Sequence, residues 1–105
     1  MHAHTEANRG AFIRRSADHA EYVEVFGDID LVNEAEFRES IARAYAAGRP
    51  VVVDLTRCTY ISSRGLHVLF EQHERSAKGM LRINATPQIA RLFDIVGLSQ
   101  VLLVS

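Results

Sequence analysis

Cysteine occurs once in this chain, at Cys58, which excludes an internal disulfide and a cysteine-rich zinc site and points to a reducing compartment. No apolar run approaches the roughly 20 residues that span a bilayer. The opening MHAHTEANRG lacks the apolar centre of a signal peptide. The expected location is the cytoplasm, with no direct membrane insertion. Twelve basic residues stand against 13 acidic ones, and the basic ones are dispersed, so the electrostatic footprint of a nucleic-acid binder is missing. No nucleic-acid partner is expected. His2 and His4 lie in the polar opening, and His19, His67 and His73 share no helical spacing, so neither a metal nor a cofactor is expected.

What is present is enough for one core. A chain of 105 residues that is 48% hydrophobic suits a single domain, burying roughly 65% of the surface its unfolded chain exposes. Residues 1–10 read as a flexible N-terminal tail and 11–105 as the domain. Ala11 to Ser16 and Tyr22 to Phe26 read as strands of a hairpin joined by Ala17-Asp18-His19. Gly27-Asp28-Ile29-Asp30 is expected to break the second strand. Phe37, Ile41, Ala44 and Tyr45 then recur at helical spacing, and Gly48, Arg49 and Pro50 end that helix. Val51-Val52-Val53 is a β-branched run without polar alternation, the pattern of a central strand covered on both faces.

A second helix is predicted from Leu66, Leu69, Phe70, His73 and Ala77 on one face, with Gly79 as its stop. His73 reads as a boundary residue of that face. Met80 to Asn84 returns as a strand. Thr86 is a natural N-cap with Pro87 at N1, and Ile89, Leu92, Phe93 and Val96 form the stripe of a third helix before Gly97. Val101 to Val104 closes the chain as a strand, with a short buried helix the alternative. The order β-β-α-β-α-β-α-β implies an α/β fold, a mixed and mostly parallel sheet with helices packed on it.

The stretch Val51 to Phe70, VVVDLTRCTYISSRGLHVLF, runs from strand through a serine turn into a helix. Ser62 reads as the N-cap, accepting from the N–H of Gly65 or Arg64. Ser63 then stands at the helix N-terminus, where free backbone N–H groups and the helix dipole accommodate a phosphate without refolding. Arg64 works against that dipole, a cost of about 0.3 to 1 kcal/mol that makes more sense where an anion visits. Asp54, near the end of the central strand, sits where receiver domains carry a phosphoacceptor aspartate. The acidic pair after the first strand and the late lysine that receivers need are absent, so Asp54 reads instead as a cap for turn N–H groups.

In this order of features the chain resembles a STAS domain, the family shared by bacterial anti-sigma factor antagonists and the tails of sulfate transporters. The resemblance rests on the hairpin, GDIDLVNEAEF, the VVVDLT strand, the serine turn and TPQIARLFDIVGL, which together cover most of the chain. In the antagonists the turn usually reads Asp-Ser-Ser-Gly-Leu or Asp-Ser-Ala-Gly-Leu, with the first serine phosphorylated. The resemblance implies that Ser63 is the acceptor, with Ser62 the second choice. Ser62 then replaces the acidic residue and Arg64 the second small one, while Gly65 and Leu66 keep the pattern. Gly65 is expected to let a partner backbone approach, and Leu66 to anchor the helix.

The implied function is that of an anti-sigma factor antagonist, an interaction protein and not an enzyme. Its unphosphorylated form binds a kinase-type anti-sigma factor and releases a sigma factor. That Ser/Thr kinase phosphorylates Ser63 and weakens the complex, and a PP2C-type phosphatase restores it. The expected partner surface comprises Asp28, Asp30, Thr56, Ser62, Ser63, Arg64, Gly65 and His67, gathered at one end of the sheet. The alternative is a non-phosphorylated STAS subunit of a lipid-trafficking transporter, or a regulator of another enzyme, which the two departures in the turn favour. An enzyme with Ser63 as nucleophile finds no support: the sequence places no base near it and shows no glycine-rich phosphate loop.

Overall fold

The computed structural model describes residues 10–76, 80–97 and 103–104. Strands β1 (Ala11–Ala17) and β2 (Ala20–Ile29) form an antiparallel hairpin. Asp18 and His19 turn it, both with positive φ (51° and 64°), as a two-residue turn that matches the right-handed twist of its strands requires. Helix α1 (Glu34–Tyr45), strand β3 (Val51–Ile61), helix α2 (Ser63–Arg75), strand β4 (Leu81–Ala85), helix α3 (Pro87–Ile95) and the short β5 (Leu103–Val104) follow. The sheet order is β1-β2-β3-β4-β5, parallel from β2 onward. The closing segment is thus a strand. Ala77, Gly79 and Val101 lie outside the described residues.

Three successive crossovers step in the same direction across the sheet, and right-handed connections of that kind place every helix on one face. The core agrees. Val23, Val25, Val51, Val53, Leu55, Leu81 and Ile83 of the strands share one cluster with Phe37 and Ile41 of α1, Val68 and Leu69 of α2, and Phe93 of α3. Phe12 of β1 stacks on Phe37 with ring centroids 5.4 Å apart. Val52 stands outside this cluster. The β-branched run is therefore buried, as its composition suggests, but no described helix covers its second face. There Val52 is only 8% exposed, in register with Tyr22 and Arg82.

Two further departures concern length and phase. Strand β2 does not break at Gly27 but continues to Ile29, and Gly27, with φ +83°, sits at a register shift opposite Cys58. Glycine adopts that conformation at no steric cost, so the strand continues through the shift, whose extra residue, Thr59, lies in β3. Helix α2 ends at Arg75, where the Ser76 hydroxyl donates to the His73 carbonyl at 3.0 Å. Its buried face is Gly65, Leu66, Val68, Leu69 and Gln72, so it is rotated away from Phe70 and His73. In α3 the Thr86 side chain accepts from the Ile89 N–H at 3.2 Å with Pro87 at N1. Only half of its predicted stripe is buried: Ile89 and Phe93 face the core, while Leu92 and Val96 are exposed.

Candidate functional site

The site is built where β3 outruns its neighbour. From Val51 to Asp54 the strand pairs with both β2 and β4, and Leu55 pairs with β4. From Arg57 to Ile61 it pairs with β2 alone, through two register shifts that each place an extra residue in β3. Side chains tie both irregularities: Asp54 Oδ1 accepts from the Thr56 N–H at 2.9 Å and hydroxyl at 2.6 Å, and the Thr59 hydroxyl donates to Asp28 Oδ1. The strand then closes against β2 through the Ser62 N–H, which donates to the Ile29 carbonyl at 2.9 Å.

Ser62 is extended, and its hydroxyl accepts from the Gly65 N–H at 3.2 Å, so it is the N-cap that its place in the sequence implies. One lone pair of its hydroxyl is thereby engaged by the helix end. Ser63 is the first helical residue and is exposed. Gly65 faces inward: a Cβ there stands 2.7 Å from Ile61 Cγ1 and 2.9 Å from Ile29 Cγ2. Its lack of a side chain lets α2 sit down on the ends of β2 and β3, which differs from the expected role of admitting a partner. Leu66, 7% exposed, anchors the turn beside it.

Across from Ser63, the β2–α1 loop is held by its own polar side chains. Asp30 Oδ1 accepts from the N–H groups of Val32 and Asn33, while Asn33 Oδ1 accepts from the Asp30 N–H and its Nδ2 donates to the Asp28 carbonyl. Gly10, at the end of the sequence-predicted tail, is buried, and an added Cβ would meet the Asp28 carbonyl and Asn33 Nδ2. Leu31 and Val32 are left on the loop surface, 69% and 80% exposed.

A chain of alternating charges links the two helices. Arg64 Nε donates to Glu34 Oε1 at 2.5 Å, Arg38 Nη2 donates to Glu34 Oε2 at 2.9 Å, and Arg38 Nε donates to Glu71 Oε2 at 2.7 Å. Hydrogen bonds from Arg64 first, then Arg38, hold the Glu34 carboxyl below its usual range despite partial burial. Glu71 and Glu34 raise Arg38, and Glu34 raises Arg64. His67 stands one turn beyond Ser63, its Nε2 4.0 Å from Glu71 Oε1. Nearby, burial pushes the Cys58 thiol up to about 11, so it is protonated at neutral pH and inert as a nucleophile.

Ser63 and His67 form a ridge between two unlike hollows. One, about 470 Å³, is lined by Glu34, Arg38, Arg64 and Glu71 along with the ridge. The other, about 320 Å³, is apolar and lined by Leu66, Phe70 and Val96. Of the residues expected to form the surface, Asp28, Asp30, Ser62, Ser63, Arg64, Gly65 and His67 are brought to this end of the sheet, Gly65 beneath it. Thr56 is not. It lies six residues before Ser62, because β3 runs on to Ile61. It lines a separate recess of about 80 Å³ with Glu24, Val25, Phe26, Asp54 and Arg57.

Glu34, Arg38 and Glu71 were not anticipated. The Glu34/Arg38 spacing of four was visible as a helix pair, but the bonds from α2, 30 and 33 residues away in sequence, had no local signal. The sequence reading that no base lies near Ser63 also passed over His67, at i+4 on the same helix. No hydrogen bond joins the two among the described residues. There too, no group of three or more metal-ligating side chains occurs, and no helix is long and apolar enough to cross a membrane.

A family model described as the STAS domain matches residues 14–105. The chain belongs to the STAS domain family. Solved structures share its fold. A crystal structure of an anti-sigma factor antagonist from Mycobacterium paratuberculosis superposes with a TM-score of 0.84 at 24% identity, covering 92% of this chain and 86% of that one. The anti-sigma factor antagonist SpoIIAA in its unphosphorylated form gives 0.71 at 17% identity, covering 90% and 88%. The Bacillus cell fate determinant SpoIIAA in its phosphorylated form gives 0.66 at 17%, covering 90% and 91%. No curated protein matches the chain.

Proposed function

We propose that this STAS domain is an anti-sigma factor antagonist switched at Ser63. One observation carries the reading: of the two adjacent serines, Ser62 is bound as the N-cap, while Ser63 is exposed on the first helical turn between an apolar and a charged hollow. The resemblance to proteins described as anti-sigma factor antagonists, one of them in a phosphorylated form, supports it. The unphosphorylated chain docks through this end onto a kinase-type anti-sigma factor, which then releases its sigma factor. The chain acts by binding and not by catalysis.

The kinase closes the cycle. The Ser63 hydroxyl oxygen takes the γ-phosphoryl group of ATP, the bond from that phosphorus to ADP breaks, and the hydroxyl proton leaves to solvent. About −1.5 to −2 charges then stand at the centre of the face, enough to expel a partner that had desolvated it. A PP2C-type phosphatase reverses the step, water attacking phosphorus to restore the hydroxyl and release inorganic phosphate. The test is capture from native cell extract with the wild-type chain and Ser63→Glu as parallel baits. The wild type is expected to capture a histidine-kinase-like ATPase that Ser63→Glu loses. Capture of one transporter subunit by both baits replaces the reading with that of a non-phosphorylated STAS subunit.

A further inference from the structure

Arg64 stands next to the acceptor, yet its guanidinium does not rest on Ser63. It reaches across to α1 and binds Glu34 through both Nε and Nη2, at 2.5 and 3.4 Å. Arg64 is the outer end of the chain Arg64–Glu34–Arg38–Glu71, its side chain 62% exposed against 10% for Glu34. This arrangement matters for what can move. Withdrawing Arg38 would leave Glu71 with no guanidinium. Withdrawing Arg64 leaves each carboxylate one, because Glu34 keeps Arg38 at 2.9 Å and Arg38 keeps Glu71 at 2.7 Å. The outermost cation can therefore leave without orphaning a buried charge, the loss that makes breaking such pairs costly.

We propose that Glu34 is a latch for Arg64: in the unmodified protein it holds the guanidinium across to α1, and a phosphate on Ser63 draws it off, so that the modified site carries its own counterion. This rests on Ser63 being the phosphoacceptor. The four charged side chains of the hollow sum to zero, two guanidiniums against two carboxylates, so while the latch is closed a phosphate on its rim meets no net attraction from them and has only the helix N-terminus to favour it. A phosphate near its dianionic form outcompetes a single carboxylate for a guanidinium, and its oxygens accept the same two-pronged bond. His67, which faces the same hollow from α2, and Glu71 beyond it complete the surrounding titratable groups.

Two consequences follow for the cycle. With Arg64 attached to α1, the Ser63 hydroxyl is left open for a kinase. With Arg64 folded over the phosphate, the modified site is less negative than a bare phosphoserine and its phosphorus is shielded from a phosphatase, so the phosphorylated state lasts longer than it does without the arginine.

The test places phosphoserine at position 63 of the full chain by genetic encoding, which needs no kinase, and follows its ³¹P resonance against pH. Arg64→Gln and Glu34→Gln backgrounds are compared, with unchanged amide spectra as the control for folding. With Arg64 present the phosphate midpoint is expected roughly half to one pH unit below that in Arg64→Gln, since an adjacent cation favours the dianion. Glu34→Gln, which removes the competitor, is expected to lower it further, and Arg64→Lys to restore part of the shift. Equal midpoints in the wild type and Arg64→Gln overturn the latch, whatever any kinase does. A shift in a chain that no kinase modifies supports the ion exchange and overturns only the phosphoswitch reading.

Discussion

The two halves of β3 do opposite work. Val51 to Asp54 is paired on both sides and Leu55 with β4, and Val51, Val53 and Leu55 are fully buried under the helices. Thr56 to Ile61 has one neighbouring strand, and its buried residues fall three apart, at Cys58 and Ile61, because extra residues interrupt the alternation. The first half makes the domain stable. The second carries the chain beyond the edge of β4 and delivers Ser62 and Ser63 to a surface where polar side chains, more than apolar burial, fix the backbone. A site placed this way can vary in its chemistry without disturbing the core beneath it.

The sharpest way to test that division is to damage each half separately. Leu55→Ala removes a fully buried side chain from the end of the first half and is expected to cost about 2–5 kcal/mol of stability by chemical denaturation. A cost below about 1 kcal/mol would show that this half is not where stability resides. Gly65→Ala acts at the other end, forcing a methyl group against Ile61 and Ile29, with an expected loss of about 1–3 kcal/mol. Its distinguishing effect is on function: α2 lifts from the strand ends, so partner capture is expected to fall by more than the stability change explains. Unaltered capture would detach the site from the strand ends.

The smallest effect concerns pH. The Arg64 and Arg38 guanidiniums hold the Glu34 carboxyl of the folded protein below its ordinary value of 4.5, so the unfolded chain takes up its proton first as pH falls. The stabilisation it gives is fully present above about 4.5 and is lost as pH drops through the folded value. Glu34→Gln is therefore expected to flatten the acid limb of stability against pH and leave its shape above about pH 5.5 unchanged. An identical acid limb in the variant would mean that the ion-pair chain adds nothing to folding.

The doubly paired half and the elements around it were legible because local chemistry decides them. A β-branched run, Thr86 before Pro87, and the helical spacing of Phe37, Ile41 and Ala44 each act within a few residues. The singly paired half was not legible in the same way. Gly27 looks like a strand break until β3 is laid beside it, and Thr56 looks close to the serines until the strand is seen to run to Ile61. The N-cap role of Ser62 could be read from its position, but the partner of Arg64 could not, because Glu34 reaches it only once α1 and α2 have packed. Sequence spacing describes what one element does alone, and here half of the site lies between elements.

The most direct test of the switch is to give the captured kinase ATP and the full-length chain, and to map any phosphate by mass spectrometry. Phosphate on Ser63, with the modified chain released from the kinase, is the predicted result. Phosphate on Ser62 or elsewhere, or a chain that stays bound after modification at Ser63, would contradict the account.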